Sequence, residues 1–373
     1  MDRESRRSPR THERVLTTRR TAVTTRYQAS RDDLSRLLDG EPRYRIDQVW
    51  NGLYKELATP ESMTNLPKTL RSRVDEALPL SLTLVTEVES DRGKTVKFLW
   101  ELYGGSRIET VLMLYADRAT VCVSTQAGCA MACGFCATGQ AGFTRHLASG
   151  EIVEQVVRAS QRAKALGRRV SNVVYMGMGE PLANEEPVWE SLVRLHDDVG
   201  MSARHLTVST VGIVPGIKRL TDRPLPVNLA VSLHAANDEL RDELVPINKR
   251  YPIAMLMEAC NEYLEIKGRR LSFEWALISG VNDRVRDASE LARLCHSLTL
   301  APHVNLIPLN PTPGYEVRGS SKMHVHEFRD RLEALGVNAT VRQNRGTDIA
   351  AACGQLAAGQ PVKISTRDQR DSK

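Results

Sequence analysis

The 373-residue sequence predicts an α/β fold built around a parallel sheet. From Thr120 onward, short apolar segments alternate with longer amphipathic segments at the spacing of βαβ units. A composition of 41% hydrophobic and 26% charged residues is typical of a globular chain with a sizeable core. No apolar run reaches the roughly 18 residues of a membrane helix, and no signal-peptide pattern occurs, so we expect a cytoplasmic protein.

The first 31 residues carry the positive charge of the chain. Nine arginines lie here against three acidic residues, which gives +6, equal to the net charge of the whole sequence. We predict an arginine-rich, disordered arm over residues 1–31, suited either to phosphate contacts or to simple solvation. Its acidic residues disfavour a mitochondrial presequence.

Residues 32–105 are predicted to form a small N-terminal accessory domain. Apolar residues recur at helical spacing over 32–38, 44–57 and 64–78. Apolar and polar residues then alternate over 80–88 and 95–103, on either side of the turn-forming Asp91-Arg92-Gly93, which predicts a hairpin. Residues 108–114 offer one further strand.

The main domain is predicted over residues 106–345, followed by a loop over 346–358 and a flexible tail over 359–373. Candidate strands are 120–124, 172–176, 206–210, 228–233, 271–277, 303–307 and 338–342. Candidate helices are 149–166, 188–197, 253–266, 287–298 and 325–335. This alternation predicts a barrel or an open doubly wound sheet. Both architectures place their chemistry at the carboxyl ends of the strands.

Four of the seven cysteines fall within residues 122–140. Cys129, Cys133 and Cys136 have the spacing C-x3-C-x2-C, so one loop can direct three thiolates to one site. Three sulfur ligands suit a 4Fe-4S cluster with one open iron, whereas structural zinc sites are normally closed by a fourth ligand. On spacing alone, a zinc knuckle or a disulfide pair is the alternative.

Polar motifs follow several of the predicted strands. Gly177-Met-Gly179-Glu180-Pro181 combines glycines, which let a ligand approach the backbone, with a carboxylate that can accept from an ammonium group. Later strand ends offer Ser209, Ser232, His234 and Asn310. Taken singly, each of these has an ordinary role as a cap, a turn residue or a hydrogen-bonding group. Likewise Cys353, Cys260 and Cys295 would singly be small buried hydrophobes.

Together the motifs resemble the radical S-adenosylmethionine (SAM) adenine C2-methyltransferases of ribosomal and transfer RNA. The resemblance covers residues 40–358 and several independent motifs in the family's order. The motifs are Cys122-Val-Ser-Thr-Gln-Ala-Gly-Cys129, Gly177 to Pro181, Ser232-Leu233-His234, Asn310-Pro-Thr-Pro-Gly314 and Ala352-Cys353-Gly354-Gln355-Leu356. It implies a partial TIM-type (β/α)6 radical SAM barrel with a small N-terminal helical accessory domain and hairpin.

The resemblance also implies a role for each matching residue. Cys129, Cys133 and Cys136 would hold one 4Fe-4S cluster. The SAM site would be lined by Gly179, Glu180, Ser209, Ser232, Leu233, His234 and Asn310. Cys353 would carry the methyl group, Cys122 would be the resolving thiol, and Glu109 would accept a proton.

The implied reaction uses two SAM molecules per turnover. One methylates the Cys353 thiolate, and the other yields a 5′-deoxyadenosyl radical that abstracts hydrogen from the methylated cysteine. The carbon radical adds to adenine C2, Glu109 takes the C2 proton, and Cys122 attacks the Cys353 sulfur, leaving a disulfide. The implied partners are 23S rRNA, tRNA and a flavodoxin-type electron donor, with no membrane and a monomeric enzyme.

Two other hypotheses stay open at this point. The C8-methylating (Cfr-type) rRNA enzymes share the cluster, the two thiols and the RNA, although the segment from Asn310 to Gly314 and the helical N-terminal domain favour the C2 group. A non-enzymatic iron-sulfur redox sensor with a nucleic-acid-binding arm is a candidate from another class. That hypothesis leaves the Gly177 to Pro181 motif and Cys353 without a role.

Overall fold

The structure, a computed structural model, describes residues 24–310, 312 and 317–359. Most of the predicted arm, the tail from residue 360 and most of the segment 311–316 lie outside the described residues. Among the residues that are described, no helix is long and apolar enough to cross a bilayer.

Three helices open the described chain, as predicted: α1 (Arg31–Leu37), α2 (Tyr44–Tyr54) and α3 (Lys68–Ala77). The first begins at a capping box, in which the Ser30 hydroxyl accepts from the Asp33 amide and the Asp33 carboxylate accepts from the Ser30 amide. The helices dock on the main domain, where Trp50 Nε1 donates to Asp198 Oδ1 over 2.8 Å.

The prediction of a disordered arm over 1–31 is wrong for residues 24–31. Tyr27 and Ala29 are buried in the core, and α1 begins at Arg31. Arg26 is also buried, because its Nε donates to the Leu78 carbonyl over 3.1 Å and its Nη2 pairs with Asp75 over 2.6 Å. These buried apolar side chains and this satisfied arginine hold residues 24–31 on the core.

The remaining elements follow in chain order. The strands are β1 (Leu82–Ser90), β2 (Thr95–Leu102), β3 (Arg107–Leu114), β4 (Ala119–Cys122), β5 (Gln126–Gly128), β6 (Phe143–His146), β7 (Val170–Tyr175), β8 (Leu206–Thr210), β9 (Asn228–Ser232), β10 (Leu271–Leu277), β11 (His303–Pro308) and β12 (Ala339–Val341). The helices are α4 (Ala137–Ala141), α5 (Ser149–Ala165), α6 (Glu185–Asp197), α7 (Val214–Asp222), α8 (Asp238–Leu244), α9 (Ile253–Lys267), α10 (Val285–His296) and α11 (Lys322–Ala334). The sequence pattern does not predict α4, α7, α8, β5 and β6, which are short.

One ten-stranded sheet organises the described chain, in the order β1-β2-β3-β4-β7-β8-β9-β10-β11-β12. The strands from β4 onward in this order pair in parallel, which confirms the predicted α/β class. Seven parallel strands occur within the described residues, one more than the six strands of the predicted barrel. The additional strand is β12, which places three residues beside β11. The order starts at β1 and ends at β12, so the sheet is open.

The predicted hairpin belongs to this sheet and not to a separate accessory domain. β2 pairs with β3, and β3 pairs with β4, both antiparallel, so the hairpin extends the parallel sheet. The N-terminal helices also share one hydrophobic core with the barrel, since Leu53 and Val173 belong to the same buried cluster. The predicted boundary at 105/106 therefore cuts through a continuous sheet and core.

After β12 the chain crosses back to the antiparallel strands. The Gly346 amide donates to Asp91 Oδ2 over 3.1 Å, and Arg345 Nη1 donates to the Leu114 carbonyl over 3.1 Å. The Ser90 hydroxyl also bonds the Asp348 carboxylate. This segment spans the gap between the two ends of the sheet and carries Cys353 with it.

Candidate active site

The three-cysteine loop connects β5 to α4 and is shaped by its own backbone. Gly128 has φ +80°, and a Cβ there would lie 2.0 Å from the Gly142 oxygen, so only glycine fits. The Cys129 amide donates to that same oxygen over 2.8 Å, and the Cys136 amide donates to the Cys133 carbonyl over 3.1 Å. Cys129, Cys133 and Cys136 all line one cavity at the carboxyl ends of the parallel strands.

The donor set of this loop fits an iron-sulfur cluster. Burial raises the pKa of the Cys129 thiol to about 12 and also raises the pKa of Cys133 and Cys136, so metal binding must displace their protons. In the described part of the chain, no three Cys, His, Asp or Glu side chains are placed to hold a single metal ion. All seven cysteines are free thiols. Three sulfurs spread around a cavity suit a multi-iron cluster with an open iron better than a zinc ion.

A buried cation, Arg241, lies close to this loop. Its side chain is fully buried and donates to neutral oxygens, among them the Val211 carbonyl over 2.7 Å and Asn248 Oδ1 over 2.7 Å. Burial lowers its pKa to about 10, and the negative charge of a Cys133 thiolate is the strongest opposing effect. The sequence pattern does not single out Arg241, because the residue lies on the unpredicted helix α8. An anionic cluster would compensate its charge.

Gly179 and Glu180 follow β7 and line the cavity. Gly179 has φ +100°, and a Cβ there would lie 2.6 Å from the Gln126 side chain, so the turn requires glycine. Glu180 Oε1 accepts from the Leu182 amide over 3.0 Å, and Oε2 accepts from the Val211 amide over 2.9 Å. Burial raises the pKa of this carboxyl to about 7. A bound ammonium group would favour its charged form.

His234 lines the cavity at the end of β9 with φ +59°, an uncommon backbone conformation for a residue with a side chain. Its Nδ1 accepts from the Ala276 amide over 2.9 Å, and burial lowers its pKa to about 3. The ring is therefore neutral and carries its proton on Nε2, which is a donor. Ser209 and Ser232 line the same cavity.

Leu233 is one predicted site residue that the structure does not bring to the cavity. Its side chain is completely buried. Its amide donates to the Glu274 carbonyl over 3.1 Å, and its own carbonyl accepts from Arg241 Nε over 3.1 Å. Both backbone groups are thus engaged within the protein.

The Cys353 loop, residues 346–358, lies against the three-cysteine loop. The Ala137 amide donates to the Gly354 carbonyl over 2.8 Å, and the Thr138 hydroxyl donates to the Leu356 carbonyl over 2.5 Å. On the other side, Asn310 Nδ2 donates to the Cys353 carbonyl over 3.1 Å. The exposed Cys353 therefore lines the cavity together with the cluster thiols.

Comparisons with known proteins agree with this geometry. The family model of the Radical SAM superfamily matches residues 123–292. The probable dual-specificity RNA methyltransferase RlmN of Chloroflexus aurantiacus is 50% identical over 358 residues, which cover 92% of this chain and 95% of the relative. The one of Salinispora tropica is 52% identical over 332 residues, covering 86% and 89%. The chain belongs to the RlmN family of radical SAM RNA methyltransferases.

A solved structure is similar over almost the same length. The radical SAM methyltransferase from Sphaerobacter thermophilus is 51% identical, with a TM-score of 0.85, and the match covers 90% of this chain and 99% of that one. The radical SAM fold expected from the motifs is therefore confirmed for this member of the RlmN family.

The second predicted thiol of this RlmN-family site, Cys122, ends β4 and is buried. Burial first, and then the negative charge of a Cys353 thiolate, raise its pKa to about 12. Cys122 does not line the cavity beside the cluster loop. It lines a second cleft, which is bordered by residues of β3, β4 and β7 to β12 and which also includes Cys353.

This second cleft is strongly cationic. Its lining includes Arg118, Arg204, Arg270, Arg342 and Arg345. Glu274 is the one acidic residue among the described residues that line it. The described body of this RlmN-family chain therefore has a basic concave surface, although the sequence beyond residue 31 sums to zero charge.

Arg342 is a site residue that the sequence analysis missed. It lines both the cavity and the cleft, and its Nη1 lies 3.4 Å from Glu274 Oε2. The pKa of its guanidinium is raised, first of all by the negative charge of a Cys353 thiolate. Its position directly after β12 could have identified it in the sequence, because the other site residues also directly follow strands.

Glu109 lines neither the cavity nor the cleft within the described residues. Its Oε1 pairs with Lys97 Nζ over 2.8 Å. Its Oε2 accepts from the amides of Ala357 and Ala358 over 3.0 and 3.2 Å. The carboxylate predicted to accept a proton thus supports the segment that follows Cys353.

Proposed function

We propose that this chain methylates C2 of a specific adenosine in 23S rRNA, and also an adenosine in tRNA, with Cys353 as the methyl carrier. One observation carries the proposal. Cys353 lines both the cavity that holds the three cluster thiols and the arginine-lined cleft that holds Cys122. A carrier thiol needs this position, because it must meet SAM on one side and a nucleobase on the other.

On the cavity side, the residues of the chain offer what SAM requires. Glu180 would accept from the ammonium group, while the neutral His234 would donate from Nε2. The hydroxyls of Ser209 and Ser232 and the amide of Asn310 complete the polar lining. A 4Fe-4S cluster held by Cys129, Cys133 and Cys136 would supply the 5′-deoxyadenosyl radical chemistry.

Where it faces the cavity, Cys353 acts as a nucleophile toward the methyl group of one SAM molecule. Arg342, whose guanidinium stays charged, lines both the cavity and the cleft together with Cys353. After transfer to the base, the Cys122 sulfur gives up its proton and attacks the Cys353 sulfur. The S–S bond forms, the Cys353 S–C bond breaks, and its electron pair stays with the carbon, which takes up a proton. A two-electron reductant must then reopen the disulfide.

The role of Glu109 as acceptor of the C2 proton stays part of the proposal. In the conformation described, Lys97 occupies one of its carboxylate oxygens and two loop amides occupy the other. Proton acceptance therefore requires the segment after Cys353 to release the carboxylate.

RNA binding is supported by the charge of the cleft. Lysine and arginine contacts to phosphates supply most of the affinity of such interfaces and make it salt-dependent. Arg342 and Arg345 follow β12, at the same carboxyl-end edge of the sheet as Cys353, and a single unstacked nucleotide would enter there. The proposal further includes a flavodoxin-type electron donor, a monomeric enzyme and action in the cytoplasm.

The test is an anaerobic assay of the reconstituted protein with protein-free 23S rRNA and, separately, with tRNA. The modified nucleosides are then identified by mass spectrometry against C2- and C8-methyladenosine standards. We expect C2-methyladenosine from both RNAs. C8-methyladenosine would overturn the regiochemistry, and 5′-deoxyadenosine without any methylated base would overturn the RNA methyltransferase role.

A further inference from the structure

Lys97 and Glu109 form a buried ion pair on neighbouring antiparallel strands. Lys97 lies on β2 and Glu109 on β3, their charged atoms are 2.8 Å apart, and their side chains are 13% and 6% exposed. Taking both charges out of water is costly unless further hydrogen bonds satisfy them. Among the contacts that the structure describes, every other hydrogen-bond partner of these two charged groups belongs to the Cys353 loop.

The pair holds this loop on both sides of the carrier thiol. Before Cys353, the Ala350 carbonyl accepts from Lys97 Nζ over 3.2 Å. After Cys353, the amides of Ala357 and Ala358 donate to Glu109 Oε2 over 3.0 and 3.2 Å. One ion pair therefore fixes the entry and the exit of the segment 350–358.

The backbone at both fixed points is strained. Ala350 and Ala358 each have φ +51°, in the left-handed region that favours glycine. Such conformations persist only where surrounding contacts impose them. The ion pair makes contacts of this kind at both ends of the segment.

The same face of the sheet carries the resolving thiol. Lys97 is directly opposite Val111 across β2 and β3, and Val111 is directly opposite Cys122 across β3 and β4. Residues directly opposite each other in a sheet project from the same face. The ion pair and Cys122 thus share the surface against which the Cys353 loop is held.

We propose that Lys97 is a positioning residue which, through Glu109, sets the Cys353 thiol between the SAM cavity and Cys122. The inference rests on the proposed role of Cys353 as methyl carrier. Lys97 touches no substrate in this proposal. Its substitution should therefore impair the thiol chemistry and spare the cluster chemistry, because the three-cysteine loop has its own backbone contacts.

The experiment compares Lys97→Met with Lys97→Arg, Glu109→Gln and a matched control. The control is Arg107→Met, which removes the ion pair between Glu101 and Arg107, 3.1 Å apart on the same two strands. That pair is half exposed and makes no described contact with the Cys353 loop. Each anaerobic protein is assayed for cluster content, RNA-free cleavage of SAM to 5′-deoxyadenosine, methylation of Cys353 and methylation of RNA.

We expect Lys97→Met to keep its cluster content and its SAM cleavage, and to lose RNA methylation roughly tenfold to a hundredfold, as a small misplacement of a reacting group does. Lys97→Arg should recover most of this loss, because a guanidinium can still donate to both partners. Glu109→Gln should keep SAM cleavage like Lys97→Met but lose more RNA methylation, because it also removes the proposed proton acceptor. Arg107→Met should resemble the wild type. Equal losses of cluster content, SAM cleavage and methylation in Lys97→Met, or unchanged methylation, would overturn the proposal.

Hydrogen exchange separates failure of this inference from failure of the proposed function. Amides in a peptide spanning 350–358 should exchange faster in Lys97→Met than in the wild type or Arg107→Met, whatever reaction the enzyme performs. If the wild type transfers no methyl group while this difference persists, the function fails and the loop contact stands. If exchange in this peptide is unchanged, the positioning role is wrong.

Discussion

The active site has two sides, which are built from different kinds of contact. The SAM side is the cavity lined by the three-cysteine loop, Glu180 and His234, and the carrier side is the Cys353 loop with the strands that hold it. On the SAM side, short loops after parallel strands satisfy their own polar groups nearby, as Glu180 does with the Leu182 amide two residues away. On the carrier side, Glu109 holds amides 248 and 249 residues away, and Asp348 bonds Ser90 across 258 residues. The SAM side is thus assembled from contacts of shorter sequence separation, such as the 31 residues between Glu180 and Val211, whereas the carrier side joins residues 248 and more apart.

Both sides contain left-handed backbone at residues other than glycine. On the SAM side these are Ala132 and His234, with φ +55° and +59°, beside glycines such as Gly128 and Gly179. On the carrier side, Ala350 and Ala358 adopt such conformations with a Cβ, which costs roughly 1–2 kcal/mol each. A strained loop persists only while its contacts hold it, which would suit the proposed methyl carrier that serves two partners.

The largest effect should come from removing the carrier thiol. Cys353→Ala should abolish RNA methylation, since no other described thiol lines both the cavity and the cleft. Reductive cleavage of SAM should continue, because the residues that support it lie on the other side of the site. Nucleoside mass spectrometry measures the first property, and chromatography of 5′-deoxyadenosine measures the second.

A matched control for this variant is Cys295→Ala, which removes a buried thiol from α10 outside the site. It should keep both activities. Methylated RNA from Cys353→Ala would sink the carrier role. Loss of SAM cleavage together with methylation would show that the two sides are not separable.

Removing Cys122 should stop turnover at a later point. Without the resolving thiol, the base stays attached to Cys353, so Cys122→Ala should accumulate a covalent protein-RNA adduct. The adduct is visible as a retarded band on a denaturing gel. The double variant with Cys353→Ala should show no band, and normal turnover of Cys122→Ala without an adduct would make Cys122 an ordinary strand residue.

An intermediate effect is expected from Arg241, which lies on the SAM side. Arg241→Met removes a buried positive charge near Cys133, so an anionic cluster should become harder to reduce. We expect a lower reduction potential and roughly tenfold to a hundredfold less activity, as for other residues that support metal ligands. A redox titration followed by electron paramagnetic resonance measures the potential. An unchanged potential at full cluster content would contradict the electrostatic role.

The sequence predicted where most residues of the cavity lie, because those signals are local. The positions of Glu180, Ser209, Ser232 and His234 after strands follow from βαβ alternation, which fixes the edge of the sheet where strand ends meet. The cysteine spacing likewise lies within one loop. The strands themselves were placed to within a few residues of their observed bounds.

The carrier side was predicted less well for a physical reason. No local pattern shows that Lys97 and Glu109 hold a loop at the far end of the chain, or that the hairpin extends the main sheet. A carboxylate on a strand has many ordinary partners, so the sequence could not place Glu109 under the Cys353 loop. Arg241 was missed because α8 spans only seven residues and has little amphipathic pattern.

The smallest expected effect is on stability and not on turnover. It tests whether burial destabilises the charged form of Glu180 until a cation such as the SAM ammonium group binds. In the ligand-free fold, burial raises the pKa of Glu180 from its ordinary 4.5 to about 7. Between these values the folded chain holds a proton that the unfolded chain has released. This stabilisation of the folded state is fully present below about pH 4.5 and is lost as the pH rises to about 7.

Glu180→Gln removes this titration while keeping a side-chain oxygen that accepts from a backbone amide. Between pH 4.5 and 7, the free energy of unfolding of the ligand-free wild type should therefore fall by about 3 kcal/mol more than that of Glu180→Gln. Denaturant unfolding at several pH values measures the difference, and pH effects of other groups cancel between the two proteins. SAM should shrink the difference, because its ammonium group favours the charged carboxylate. Parallel curves for the two ligand-free proteins would show that Glu180 is not a desolvated carboxylate awaiting a cation.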